Sequence, residues 1–463
     1  MVDFINILNY LLFTLVIGFV FIKLINPKLK LNLKIISLVY GLGSGAIGLE
    51  MFFISLAGFK FSLGLILFPW SVPLLIVLYN TKKEIKNHLH FKNLLINIKD
   101  TVGNINIVLS LGFILMVLPF FLEILAGSPS IGWDTWGNWG FKAKIFYLER
   151  QVPLNLYVDK FSIVPSREYP LLTSLIETFF YFFLGRFDDA MIKVVFFFFY
   201  ICLLTYFYSI FKELYNKLQA YLFTFLLTTI PIFVSFASGY YNGYADLIFT
   251  YFNFISVTLL WHWTIKKERS LFYLSSIFTG LALWTKVDGI VLLFVNLICL
   301  FFLGLSNIKN TIIKTKLFFI YILIPLIIAG PWYLIVALLR FPSVHIRIGP
   351  SLLSIFTDFK RLPILGSRFL QEALSFSDWN ILWFIFLLLL ILCFARLFNN
   401  HKFLFINTLL QLGLYAFIVV IDVDYYRAIW NSLSRLMIHL VPLIFILIAG
   451  VIFQKESEQK SIC

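Results

Sequence analysis

A chain of 463 residues could hold two or three soluble domains, but its composition excludes them: the apolar set AVILMFWYC makes up 61% and charged residues only 13%. A soluble domain holds roughly 45–50% apolar residues (Gly included) and about 25% charged ones, so an all-α polytopic membrane protein is expected. A soluble enzyme, a disordered scaffold and a nucleic-acid binder are set aside. The net charge of +14 concerns where Lys and Arg sit relative to the spans, and the partner it implies is a lipid bilayer, not nucleic acid.

In chain order, Val2 to Ile22 is apolar without a basic leader or a small-residue cleavage site, and reads as a retained anchor. A helix needs about 20 apolar residues to cross the hydrocarbon core. Runs of adequate or nearly adequate length cover 2–25, 33–57, 61–79, 104–126, 190–211, 219–237 and 245–264, then 271–285, 289–305, 317–339, 380–397, 403–421 and 433–453. The stretch 169–186 is shorter, opens at Pro170 and carries Glu177 in its middle. Gly43-Ser44-Gly45-Ala46-Ile47-Gly48 matches a dinucleotide fingerprint formally, but it lies inside an apolar run, where small residues let helices pack closely. Cys202, Cys299 and Cys393 lie in apolar runs and suggest no disulfide.

Short-loop lysines fix the orientation. Lys28, Lys30, Lys34, Lys82, Lys83, Lys86, Lys212, Lys217, Lys266, Lys267, Lys309, Lys314, Lys402 and Lys455 share the inner face if 190–211 crosses and 169–186 lies at, or re-enters from, the outer one. The expectation is about thirteen crossings, the N-terminus outside, and two long outer loops, 127–168 and 341–379. Residues 1–103 form an N-terminal addition, 104–340 a core, and 380–463 the closing helices with a short cytoplasmic tail. A multi-pass protein of the cell (inner) membrane follows.

The polar residues hardest to explain then gather at the outer face. Gly132-Trp133-Asp134-Thr135-Trp136-Gly137-Asn138-Trp139 opens the first outer loop. Asp134 can serve there as a general base, and Trp133, Trp136 and Trp139, at spacing three, can form one aromatic face for a sugar. The alternative is an interfacial tryptophan belt and a helix cap. Arg167-Glu168-Tyr169-Pro170 closes the loop as part of a substrate site or as a charged rim. Gly243-Tyr244-Ala245-Asp246 supplies a second carboxylate or only a cap. Lys286 either binds a phosphate or neutralises Asp288. Arg435 and His439, four apart, share a helix face. An Arg in an apolar span costs about 2.5–3.5 kcal/mol on insertion scales, which either snorkelling or a lipid-borne phosphate explains. Arg347, with His345, is a weaker candidate for the same anion.

Taken in order, Trp133-Asp134 through Lys142-Ala143-Lys144, Tyr169-Pro170-Leu171-Leu172, Gly243-Tyr244-Ala245-Asp246, Gly280-Leu281-Ala282-Leu283-Trp284-Thr285-Lys286 and Ser434-Arg435-Leu436 with His439-Leu440-Val441-Pro442 carry a resemblance. They resemble the GT-C superfamily of polyprenyl-phosphate-sugar-dependent glycosyltransferases, closest to its protein O-mannosyltransferase and aminoarabinose-transferase branch. The resemblance implies a GT-C-like bundle and transfer of a sugar from a polyprenyl-phosphate donor to a glycan, lipid or protein acceptor, through a hydroxyl or amine, with inversion. It makes Asp134 the base, Asp246 and Glu168 further acids, and Lys286, Arg435, His439 and Arg347 the donor-phosphate set. Trp133, Trp136, Trp139, Arg167, Tyr169 and Tyr244 would line the substrate. Many relatives carry two adjacent acids where Asp134 is followed by Thr135, so neither a metal nor another cofactor is expected. A flippase or transporter of a lipid-linked sugar, and a polysaccharide polymerase or ligase, are the rival functions.

Overall fold

The apolar runs fold as helices because backbone groups in lipid must be satisfied within their own segment. The computed structural model describes residues 2–88, 111–341, 361–422 and 425–453, apart from 28, 30, 31, 113, 115, 116, 120, 125, 128, 130, 131, 160 and 307; no strand occurs among them. In chain order the helices are α1 (Val2–Ile25), α2 (Leu33–Leu56), α3 (Ser71–His88), α4 (Gly140–Glu149), α5 (Leu172–Leu184) and α6 (Lys193–Leu214). Then come α7 (Lys217–Thr228), α8 (Pro231–Ala237), α9 (Ala245–Lys266), α10 (Arg269–Thr285), α11 (Gly289–Cys299) and α12 (Thr311–Leu339). The chain continues with α13 (Arg361–Ala373), α14 (Leu382–Leu392), α15 (Phe394–Asn400), α16 (Lys402–Ile421), α17 (Tyr425–Ile438) and α18 (Val441–Ile452).

Among the described residues, six helices are long and apolar enough to cross a membrane, or nine if each of three bent pairs is one span. The thirteen crossings expected from the apolar runs go beyond that count. Helices α9 and α10 are buried and carry polar residues such as Asn253, Ser256 and Ser275, and much of the run 104–126 lies outside the described residues. The ambiguous stretch becomes α5, whose 13 residues extend about 20 Å, too short for a hydrocarbon core of about 30 Å.

Helix α9 is 22 residues long, about 33 Å, so its two ends lie a bilayer thickness apart. At one end Lys34 bonds Glu213 at 2.8 Å, and Asn32, Asn216 and Asn310 cap the starts of α2, α7 and α12. Asp246 is at the other end. The glycine run of α2 serves packing: a Cβ on Gly43 would lie 2.0 Å from the Thr14 carbonyl oxygen of α1, and one on Gly18 would lie 1.8 Å from that of Val39.

Polar side chains join α9, α10, α11, α12 and α16 inside the bundle. Asn296 donates to Ser256 Oγ at 3.0 Å and to the Tyr321 hydroxyl at 3.2 Å. Asn407 donates to Asn296 Oδ1 at 2.9 Å, and Gln411 donates to Asn407 Oδ1 at 2.7 Å. Buried amides are stabilising only when satisfied in this way. Asn407→Leu strands the acceptors and donors of two helices; at about 0.6–1.7 kcal/mol per interhelical bond, the unfolding midpoint in detergent should fall by several degrees. An unchanged midpoint would show that the network adds nothing to stability.

Candidate functional site

Two segments at the Asp246 end of α9 lock together before any charge is considered. The chain from Trp133 enters a π-helical turn over Thr135–Trp139 and continues as α4. Thr135 donates its hydroxyl to the Asn242 carbonyl, and Asn242 in turn donates its amide to the Ala237 carbonyl. Gly243 has φ +92°, and a Cβ there would lie 2.2 Å from the Thr135 methyl. Only glycine satisfies both the conformation and the space. The segment around Thr135 is thereby fixed against the turn that starts α9.

That contact places Asp134 and Asp246 around one guanidinium. Arg435, on α17, has Nη2 2.7 Å from Asp134 Oδ2 and 2.7 Å from Asp246 Oδ2, with Nε 3.2 Å from the latter. Its guanidinium carbon lies 4.8 Å from the centre of the Tyr244 ring, a cation–π contact. Lys286, which follows α10, lies 2.7 Å from both Asp246 Oδ1 and Asp288 Oδ2. His439 Nε2 is 3.3 Å from Asp246 Oδ1, with its ring against Phe249 and Tyr415. The side chains of Asp246 and His439 are fully buried; those of Asp134 and Arg435 remain about one-fifth exposed. The site is open on the Asp134 side and closed behind Asp246.

These contacts settle how local geometry uses each acid. Asp134 makes no side-chain cap bond to its turn, and the Asp246 carboxylate in the first turn of α9 faces Arg435, Lys286 and His439. Lys286 does neutralise Asp288, as one alternative held, but bridges it to Asp246 as well.

The tryptophans divide instead of forming one face. Trp133 and Trp136 are exposed and meet edge to face at 4.6 Å, while Trp139 is buried against Tyr169 at 5.6 Å. The wider π turn shifts the third indole off the line that spacing three gives in an α-helix. Arg167 is also drawn away from the cluster: its guanidinium donates to the carbonyls of Tyr157, Asp159, Ser162 and Val164, pinning the loop that precedes it. Glu168 is buried, and its carbonyl accepts from the Trp332 indole at 3.2 Å. Arg347 and His345 lie outside the described residues.

Lys142 is a residue that motif reading quoted but did not assign to the site. It is fully buried on α4, donates to the Ser166 carbonyl at 2.7 Å and lies 5.3 Å from the Trp139 ring centre. Burial pushes its ammonium down to about 7, against the opposing pull of Glu168 and Asp134. The available signal is helical spacing: Trp139, Lys142, Ala143 and Phe146 form one buried stripe, and a lysine within such a stripe needs a partner.

A cluster of charged side chains at one end of a helical bundle, partly exposed where acid and guanidinium meet, is an arrangement suited to group transfer from an anionic donor. Residues 168–335 match the family model described as dolichyl-phosphate-mannose-protein mannosyltransferase. The resemblance drawn from the motifs is borne out over these residues, and the chain is similar there to membrane glycosyltransferases of GT-C type. The matched segment includes Glu168, Asp246 and Lys286, while Asp134 and Arg435 flank it. No curated protein and no solved structure matches the chain.

Removing one partner of a buried ion pair costs about 3–5 kcal/mol because the other charge is left uncompensated. Asp246→Asn should therefore unfold at markedly lower temperature in detergent. Adding Lys286→Met to it should recover part of the loss. A single variant as stable as the parent would remove Asp246 from its place as the common counter-ion.

Proposed function

We propose that the chain is an inverting glycosyltransferase of the outer face of the cell membrane. It takes a sugar from a polyprenyl-phosphate donor and passes it to a hydroxyl or amine of a glycan, lipid or protein acceptor. The observation that carries this reading is the 2.7 Å contact between Asp134 and Arg435. It puts a carboxylate able to take a proton beside a guanidinium able to hold a phosphate, at the exposed edge of the cleft.

The chemistry follows from those positions. The donor phosphate competes with Asp134 for Arg435, since a planar guanidinium binds a phosphate with two parallel hydrogen bonds. Asp134, released from the pair, accepts the proton of the acceptor hydroxyl or amine. The acceptor atom bonds to the anomeric carbon from the side opposite the phosphate. The carbon–oxygen bond to the phosphate breaks, and its electron pair leaves on the lipid phosphate. Arg435 and Lys286 stabilise that developing charge, and fixed cations in a water-poor cleft contribute several kcal/mol to such a step. Asp246 acts through the two cations by holding their orientation, with His439 packed behind it. The exposed Trp133 and Trp136 offer a surface for the acceptor, and Glu168 remains a nearby acid.

Asp134→Asn keeps the size of the side chain and removes the base. It is expected to reduce transfer from a lipid-phosphate sugar at least a hundredfold while leaving the unfolding midpoint within a few degrees of the parent. Full transfer by that variant would exclude Asp134 as the base. Arg435→Lys keeps the charge but loses the fork, so the donor KM should rise more than kcat falls; an unchanged donor KM would separate Arg435 from the phosphate. Orientation is read by labelling intact cells with a thiol reagent that does not cross membranes. A cysteine at exposed Tyr240 should react and one at exposed Lys267 should not; the reverse pattern would place the site on the inner face.

A further inference from the structure

The ion cluster is a ladder of alternating charge. Asp134, Arg435, Asp246, Lys286 and Asp288 follow one another through contacts of 2.7 Å each. Asp246 holds Lys286 on one carboxylate oxygen and Arg435 on the other, and its side chain is fully buried. The two end carboxylates, Asp134 and Asp288, each keep 19% of their side-chain surface exposed. An arriving anion can therefore take the place of the ends but not of the middle. Asp134 already has a part in the transfer. Asp288 has none, yet it occupies Lys286 as Asp134 occupies Arg435.

The local backbone leaves Asp288 to that contact. It stands at the N-cap of α11, where an aspartate ordinarily accepts from the first-turn N–H groups, but its side chain makes no such bond. The backbone closes the turn instead. Gly289 N–H donates to the Lys286 carbonyl at 3.0 Å, that of Ile290 to Val287 at 2.9 Å and that of Val291 to Asp288 at 3.0 Å. A Cβ on Gly289 would lie 2.4 Å from the Leu283 Cα, so the start of α11 is seated against the end of α10. The carboxylate is thus tethered two residues from its cation on a fixed turn. Once displaced it stays at high effective concentration, and re-pairing is intramolecular.

The charge of the donor changes during the reaction. Its phosphate is a diester with one negative charge. When the bond to the anomeric carbon breaks, the electron pair stays on the phosphate, and the product is a monoester whose second ionisation lies at about 6. Near neutrality the product carries more charge than the donor, so Arg435 and Lys286 hold it more tightly. Without a competing anion, the site is blocked by its own product.

We propose that Asp288 is a positioning residue that returns to Lys286 after transfer and expels the lipid monophosphate. The proposal rests on the donor reading given above. Asp288 touches no reacting atom and acts through Lys286. The test measures binding to the full chain in detergent by tryptophan fluorescence, at about pH 7.5, where the monoester is mostly dianionic. The probes are undecaprenyl monophosphate, standing for the product, and its methyl diester, standing for the donor. Asp288→Asn and Asp288→Ser remove the charge and should bind the monoester about three- to tenfold more tightly than the parent, with a smaller gain for the diester. Asp288→Glu restores the charge and should return the affinity toward that of the parent. Equal gains for both probes, no gain, or weaker binding would overturn the role of Asp288 and leave the donor reading intact. Failure of both neutral variants to fold would make Asp288 structural and overturn it as well. Absence of binding of either probe to the parent overturns the donor reading and this proposal with it.

Discussion

A carboxylate buried at the end of a membrane helix is tolerable only when opposite charges close on it, and Asp246 meets that condition through Arg435 and Lys286. Three separate parts of the chain must arrive together for this to happen: the start of α9, the end of α10 and the length of α17. Once they do, Nη2 of Arg435, already bonded to Asp246, also meets Asp134 at 2.7 Å. The site is therefore organised from the inside out. A buried anion fixes two cations, and one of them reaches the partly exposed Asp134.

The same constraint explains why the glycines beside the site are not interchangeable. Gly243 admits Thr135 where a side chain would stand, and this close approach, with the Thr135–Asn242 bond, ties the segment around Thr135 to the α9 start. Without it, Asp134 would have no defined distance to Arg435. Local backbone geometry, loop docking and the ion cluster thus form one chain of dependence, ending in the contact between the Asp134 carboxylate and the Arg435 guanidinium.

Much of this was legible before the structure. Hydropathy gave the helical class, and Lys and Arg positions put Asp134, Asp246, Lys286 and Arg435 on one side of the bundle, where the structure brings them into contact. The i, i+4 relation put Arg435 and His439 on one helix face, and in the structure both meet Asp246. What sequence could not supply is the third dimension. The π turn sends Trp139 inward while Trp133 and Trp136 stay out, and spacing alone gives no warning of a π turn. Arg167 reads as a site cation in the motif, yet four loop carbonyls take it, a choice made by loop folding. Lys142 was hidden by its helix, since a lysine between Phe141 and Ala143 looks like an ordinary surface residue until the buried stripe around it is traced.

The central claim is that the guanidinium now held by Asp134 is the seat of the donor phosphate. Its most direct test is an experimental structure of the full chain with a polyprenyl phosphate bound in a lipid nanodisc. The phosphate should lie within hydrogen-bond reach of Arg435, with the Asp134 carboxylate turned away from the guanidinium toward the open cleft. A phosphate seated elsewhere, with the Asp134–Arg435 pair still closed, would contradict the account.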